Sequence, residues 1–177
     1  MKSAELNSKI EKIMRLMSRI RYGYVDINNK KHEEADEEYA SLYKLQSPEE
    51  LSKSKLGTCW DQVELERYYF KTEGINCKTY FIVYYGRHKS PTHTFLVYRN
   101  GKKYSWFEHS WERCQGVHEY DSLKELLTDV KNTFIKIELP KKINSDNLRL
   151  SGYNKPDYGI SCGEFIRHCE SGKIITI

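Results

Sequence analysis

The stretch HTFLVYRNGKKYSWFEHSW, His93 to Trp111, reads as two β-strands joined by a tight turn. β-Branched and aromatic residues fill both arms, and Asn100-Gly101 between them is the strongest short hairpin signal. With Asn100 and Gly101 as the two loop residues, Arg99 pairs with Lys102, Val97 with Tyr104, Phe95 with Trp106 and His93 with Glu108. Directly opposite residues share a face, with Cβ atoms about 4.5–5.5 Å apart. The register therefore predicts a histidine and a carboxylate side by side at the open end of the hairpin. A three-residue loop with a glycine bulge would instead set His93 opposite Phe107.

Upstream, INCKTYFIVYY (75–85) is a further strand by the same composition. Before it, LGTCWDQVELERYYF reads as a helix with Thr58 as N-cap and Asp61 three residues later. It runs to about Thr72 and closes at Glu73-Gly74, glycine suiting the left-handed C-terminal position. Tyr68, Tyr69 and Phe70 are too apolar for all to face water, so some pack under the sheet. SPEEL opens a shorter helix, with Ser47 and Glu50 as a capping box, Pro48 at the first turn and Gly57 ending it. Leu6, Ile10, Ile13, Met14, Met17 and Ile20 recur at helical spacing and predict a helix over 4–21. DINNKKHEEADEE (26–38) is a charged loop whose EEADEE portion is a solvated face, followed by a weaker helix with Ala35, Tyr39 and Leu42 on one side.

Downstream, GVHEY (116–120) suggests a short strand, and DSLKELLTDVKN a helix with Ser122 and Glu125 as a second capping box. TFIKIEL (133–139) reads as a strand stopped by Pro140. Residues 141–160 read as loop, SCGEFIRHCE as a short helix and KIITI as a terminal strand. Helices followed mostly by strands, with one helix between them, give an α+β fold on a largely antiparallel sheet. The expected organisation is one domain over 1–177: a helical N-terminal extension (1–46), a core (47–140) and a C-terminal loop with a short helix (141–177).

The length suits a single core, and 14 tyrosines supply large buried area. The net charge of +4 comes from dispersed lysines, so nucleic-acid binding is not indicated. No run approaches the ~18–20 apolar residues of a membrane span. MKSAELNSKIEKIM lacks the apolar segment of a secretory signal. The five cysteines are odd in number, irregularly spaced and without a C-x-x-C, which argues against a disulfide framework or zinc site and for a reducing, cytoplasmic setting.

A carboxylate beside His93 would fix its tautomer and stabilise its charged form. That is the base and orienter of a cysteine triad, which lacks only a thiol. Cys59, one residue inside a helix start, supplies it: free N–H groups and the helix dipole favour thiolate there and offer oxyanion donors. Trp60 and Gln62 are adjacent polar-capable side chains, Trp60 better read as a packing anchor. His109 and Glu112 are alternatives to Glu108 as the third member. His88 lies on the loop before the hairpin. Cys162, His168 and Cys169 share a short helix, but His168 is rotated off the cysteines' face, so core packing explains the cysteines better than a metal does. Cys77 and Cys114 have no clear partner.

In order, LGTCWDQVEL, TEGINCKTYFIVYY, THTFLVY and YSWFEHSW resemble the core of the transglutaminase-like superfamily of papain-related cysteine enzymes, over residues 47–111. That pattern has Gly-x-Cys opening a helix, then Gly-Ile and a strand, then a histidine opening a strand, then a Trp-containing strand ending in an acid. The resemblance implies Cys59 as nucleophile, His93 as base and Glu108 as the orienting acid. The family usually has aspartate followed by proline at the last position, where this chain has Glu-His-Ser, and HTF stands where tryptophan commonly follows the histidine and a small residue. The implied activity is acyl transfer through a thioester, preferably hydrolysis of an amide or ester in a peptide, protein or small-molecule substrate, without a cofactor. Transfer to an amine, a thiol acyltransferase with a coenzyme-borne donor, and a non-catalytic interaction domain are the alternatives.

Overall fold

The computed structural model describes residues 3–139 and 143–177. In chain order it contains α1 (Ser3–Met17), β1 (Tyr24–Val25), β2 (Lys31–His32), α2 (Tyr39–Leu42), α3 (Pro48–Ser54), α4 (Cys59–Thr72) and β3 (Cys77–Tyr84). Then follow β4 (Thr92–Asn100), β5 (Lys103–Glu108), β6 (Gly116–Tyr120), α5 (Leu123–Glu138), β7 (Leu148–Tyr153), α6 (Cys162–Glu170) and β8 (Lys173–Ile174). The architecture is α+β. Six strands form one antiparallel sheet in the order β6-β5-β4-β3-β7-β8, and β1 and β2 make a small separate hairpin.

Alternation along the strands builds two cores, one on each face of the sheet. Phe81, Val83, Leu96 and Phe107 pack with α4, α1 and α6. Tyr80, Ile82, Phe95, Val97 and Trp106 pack with Leu126, Leu127, Val130 and Phe134 of α5. An ion pair within α4 is bound to the sheet at both ends: Arg67 donates to both oxygens of Glu64, at 2.9 and 3.1 Å, and Tyr153 of β7 donates to the same carboxylate at 3.1 Å. Arg67 also donates to Thr79 of β3. Buried charges persist when paired and hydrogen-bonded in this way.

The hairpin differs from the expected register by two residues. Asn100 pairs with Lys103, so the loop residues are Gly101 and Lys102, and Val97 lies opposite Trp106. Gly101 has φ +60°, at the first loop position where a type II′ turn takes glycine. His93 is therefore not directly opposite Glu108. A shift of two keeps every side chain on its expected face, because the strand period is two.

Residues 133–139 form no strand: α5 continues to Glu138, because Leu127, Val130 and Phe134 keep a helical stripe buried against the sheet. Pro140, expected to stop that segment, and Lys141 lie outside the described residues. The expected 141–160 loop contains β7, whose Leu148 and Leu150 face the α5 core while Ser151 and Tyr153 face the other. Gly57 does not end α3; Lys55 does, in the left-handed conformation at φ +59°. Gly57 is instead needed for close packing, since a Cβ there would meet the Leu51 side chain at 2.6 Å. The 26–38 stretch also holds β2 and the loop that joins it to β1, with Asp26 and His32 buried there.

Candidate active site

α4 begins where the sequence places it. Asp61 accepts from the Thr58 N–H at 2.9 Å and the Thr58 hydroxyl at 3.1 Å, and from Tyr43 and the Gln46 N–H at 2.9 Å each. Burial pushes this carboxyl up to about 6 against those four donors. Thr94 of β4 donates to the Cys59 carbonyl at 2.7 Å, which pins the first turn of the helix to the strand that carries His93. Trp60 is a packing anchor: it stacks on Phe165 with ring centroids 4.6 Å apart, and its indole N–H donates to Thr92 at 3.1 Å. Gln62 is occupied too, donating to the Gly57 carbonyl at 2.8 Å and bonded to His109 Nδ1 at 2.7 Å. Neither side chain is free to serve an oxyanion.

His93 stands on the α5 face of β4 with Phe95 and Val97, at the end of the strand. Its Nε2 lies 2.8 Å from Glu108 Oε2, a diagonal contact across the hairpin rather than a directly opposed pair. Both side chains are buried, at 1% and 2% exposure, so the pair is shielded from solvent screening. Glu108 accepts three further hydrogen bonds: from the Trp106 indole at 3.2 Å, the Ser110 hydroxyl at 3.0 Å and the Trp111 N–H at 2.8 Å. Burial alone would raise its pKa; the His93 charge and these donors hold it below the usual carboxylate value. Burial opposes charge on His93 as well, but Glu108 and then Cys59 override it and push the imidazole up to about 9. With Nε2 taken by Glu108, Nδ1 is the nitrogen left for the thiol.

Cys59 and His93 open into one cleft of about 920 Å³, within the range of small-molecule sites. They come from opposite faces of the sheet and meet at the end of β4, where the N-terminus of α4 and the C-terminus of α5 converge. Tyr22, Tyr39 and the acidic segment 34–37 form one wall, and the 88–92 loop, with His88 and Lys89, forms the other.

Trp111 was not among the candidates from sequence, yet it covers His93. Its ring lies flat on His93, centroids 3.6 Å apart and planes 5° from parallel. It is fixed at both ends, by its backbone N–H on Glu108 and by its indole N–H on Glu138 at 3.2 Å. The sequence signal was its place three residues beyond Glu108.

His109 points to Gln62 and Glu112 is exposed, so Glu108 is the acid that contacts His93. Cys162 and Cys169 are buried in the core while His168 contacts the Asn154 carbonyl at the surface. Burial raises the thiols of Cys77, Cys114, Cys162 and Cys169. Among the described residues no group of three or more His, Cys, Asp or Glu side chains is placed to hold a metal, and no helix is long and apolar enough to cross a membrane. No protein-family model matches the chain, and no curated protein is significantly similar to it.

Proposed function

We propose that the protein is a cysteine-dependent acyl-transfer enzyme of the transglutaminase-like, papain-related kind, acting on an amide or ester carbonyl. One observation carries this reading: an imidazole clamped through Nε2 by a buried carboxylate shares a cleft with a thiol at the start of a 14-residue helix. Cys59 gives its proton to His93 Nδ1 and its sulfur attacks the carbonyl carbon. The Cys59 backbone N–H, at the first helical position, is the donor best placed for the oxyanion. His93 then donates the proton to the leaving amine or alcohol as the tetrahedral intermediate collapses to a thioester. Water, deprotonated by the same imidazole, attacks the thioester and releases the acid and the thiol. An amine in place of water gives transfer; the open, water-accessible cleft favours hydrolysis. Glu108 holds the tautomer and stabilises the imidazolium throughout.

The test is thiol reactivity followed by acylation. At pH 6.5 iodoacetamide should modify Cys59 well before the other four cysteines, and His93→Ala should abolish that preference. An activated aryl acetate should leave an acetyl group on Cys59 that hydrolyses in the wild type and persists when His93 is replaced. Equal labelling of all five thiols, or a preference indifferent to His93, would sink the reading.

A further inference from the structure

The turn end of the sheet carries a second cavity, of about 520 Å³, lined by β4 residues 97–99 where the candidate active site uses 92 and 93. Its floor is the α5 face of the sheet. Lys78 stands directly opposite Val97 and Arg99 directly opposite Tyr104, so these four and Tyr80 share one surface. α5 begins at Leu123, on the edge of the cavity, and beyond it Lys78 and Arg99 stay exposed above the buried Tyr80 and Val97.

Three features describe what would fill it. The first is charge: Lys78 and Arg99 line the cavity and no carboxylate does. An uncompensated pair of cations beside low-dielectric walls concentrates anions. The second is Tyr80. Its ring is largely buried and lines the cavity, and its hydroxyl, which keeps contact with the open space, has no hydrogen-bond partner among the described residues. A hydroxyl that reaches the cavity with no protein acceptor is free to donate to a ligand. Burial, then the neighbouring Tyr104, raises its pKa, which keeps it a donor. The third is shape. Tyr80 is stacked on Phe95, 5.4 Å between centroids, and Arg99 lies over Tyr104 at 5.0 Å, so aromatic faces and a guanidinium plane are already in place.

We propose that this cavity binds a small aromatic anion, its ring against Tyr80 and Tyr104 and its acidic group between Lys78 and Arg99, accepting from the Tyr80 hydroxyl. The site is independent of the chemistry at Cys59 and stands whether or not that thiol is reactive.

The full chain, labelled with nitrogen-15, would be titrated with phenyl phosphate, benzoate, inorganic phosphate and the cation benzamidine. Phenyl phosphate and benzoate should give saturable amide shifts at Lys78, Tyr80, Arg99 and Tyr104. Lys78→Gln and Arg99→Gln, both at the cavity rim, should each weaken binding about tenfold or more. Tyr80→Phe, which removes only the hydroxyl, should weaken it several-fold while the spectrum elsewhere stays that of the folded protein. Shifts by benzamidine as large as those by phenyl phosphate would overturn the proposal. So would inorganic phosphate binding as well as phenyl phosphate, or affinity unmoved by Arg99→Gln.

Discussion

Glu108→Gln separates a carboxylate that orients a base from one that merely fills space. Glu108 accepts two hydrogen bonds on each oxygen: Ser110 and the Trp111 N–H on Oε1, His93 and the Trp106 indole on Oε2. Glutamine keeps the shape but offers one oxygen. Whichever way its amide turns, the NH2 faces an N–H that cannot become an acceptor, of Trp111 or of Trp106. That clash should cost about 1–3 kcal/mol of stability. The larger effect falls on His93. Its rise from 6.5 to about 9 corresponds to about 3 kcal/mol between protonation states, held against burial mainly by the Glu108 charge. Without that charge only Cys59 opposes burial, and the imidazole should titrate well below its wild-type value. An amide NH2 facing Nε2 also moves the ring proton to Nδ1, where it blocks acceptance from the thiol. The same tautomer fault costs about 10⁴ in a serine triad, so Cys59 alkylation at pH 6.5 should slow by about 10²-fold or more. The assay is the alkylation rate of Cys59 against pH, by mass spectrometry, beside a urea melt. A variant that loses stability but alkylates at the wild-type rate with an unchanged profile would refute the orienting role.

Trp111→Ala should remove the plate beneath His93 and slow Cys59 alkylation about tenfold while the far-ultraviolet spectrum stays that of the folded protein, at some cost in melting temperature because Trp111 also packs against the α5 core. His32 lies between two carboxylates, Nε2 at 3.2 Å from Asp26 and Nδ1 at 2.9 Å from Asp36, and stacks on Tyr24. Asp26, opposed by its own burial, then Asp36 raise its pKa, so the stability it contributes is fully present below about 6.5 and fades as pH rises through the higher folded value. The gap between wild type and His32→Gln in pH-dependent melts should therefore narrow from pH 6 towards alkaline pH; a widening gap would contradict the doubly donating imidazolium. Gly101→Ala should cost about 1 kcal/mol through its positive φ alone, since no atom lies within 4 Å of a Cβ there, and Gly101→Asn should cost less. Equal melts for the two variants would count against a left-handed turn residue.

The contact between His93 and Glu108 was legible in the sequence although the register was not. Asn100-Gly101 marked a two-residue turn, but Asn100 stayed in the ladder and the turn moved on to Gly101-Lys102. Parity survived, and parity decides which side chains share a face. The start of α4 was legible for a local reason, Thr58 and Asp61 capping within four residues. The second half of α5 was misread because Thr133, Ile135 and Ile137 favour a strand in isolation, whereas Phe134, eight residues on from Leu126 along the helix, finds its place only against the sheet. Trp111 and His32 were missed because their partners are set by how loops close: Trp111 lies flat on His93 from beyond the end of β5, and His32 is drawn into a loop whose composition promised only exposed charge. Gln62 and Trp60, adjacent to Cys59 in sequence, proved to be engaged with Gly57 and Thr92, which pattern alone does not show.

The thiol is anchored in one core and the imidazole in the other, with the sheet as a partition between them. The site is thus a vernier on how the two halves of the molecule are seated. A sub-ångström slide of α4 along its face, too small to alter a melting curve, would misalign Cys59 with an imidazole that has not moved. Cavity-making substitutions such as Val63→Ala on one side or Leu127→Ala on the other then become a graded series, in which reactivity at Cys59 registers misalignment long before the fold gives way.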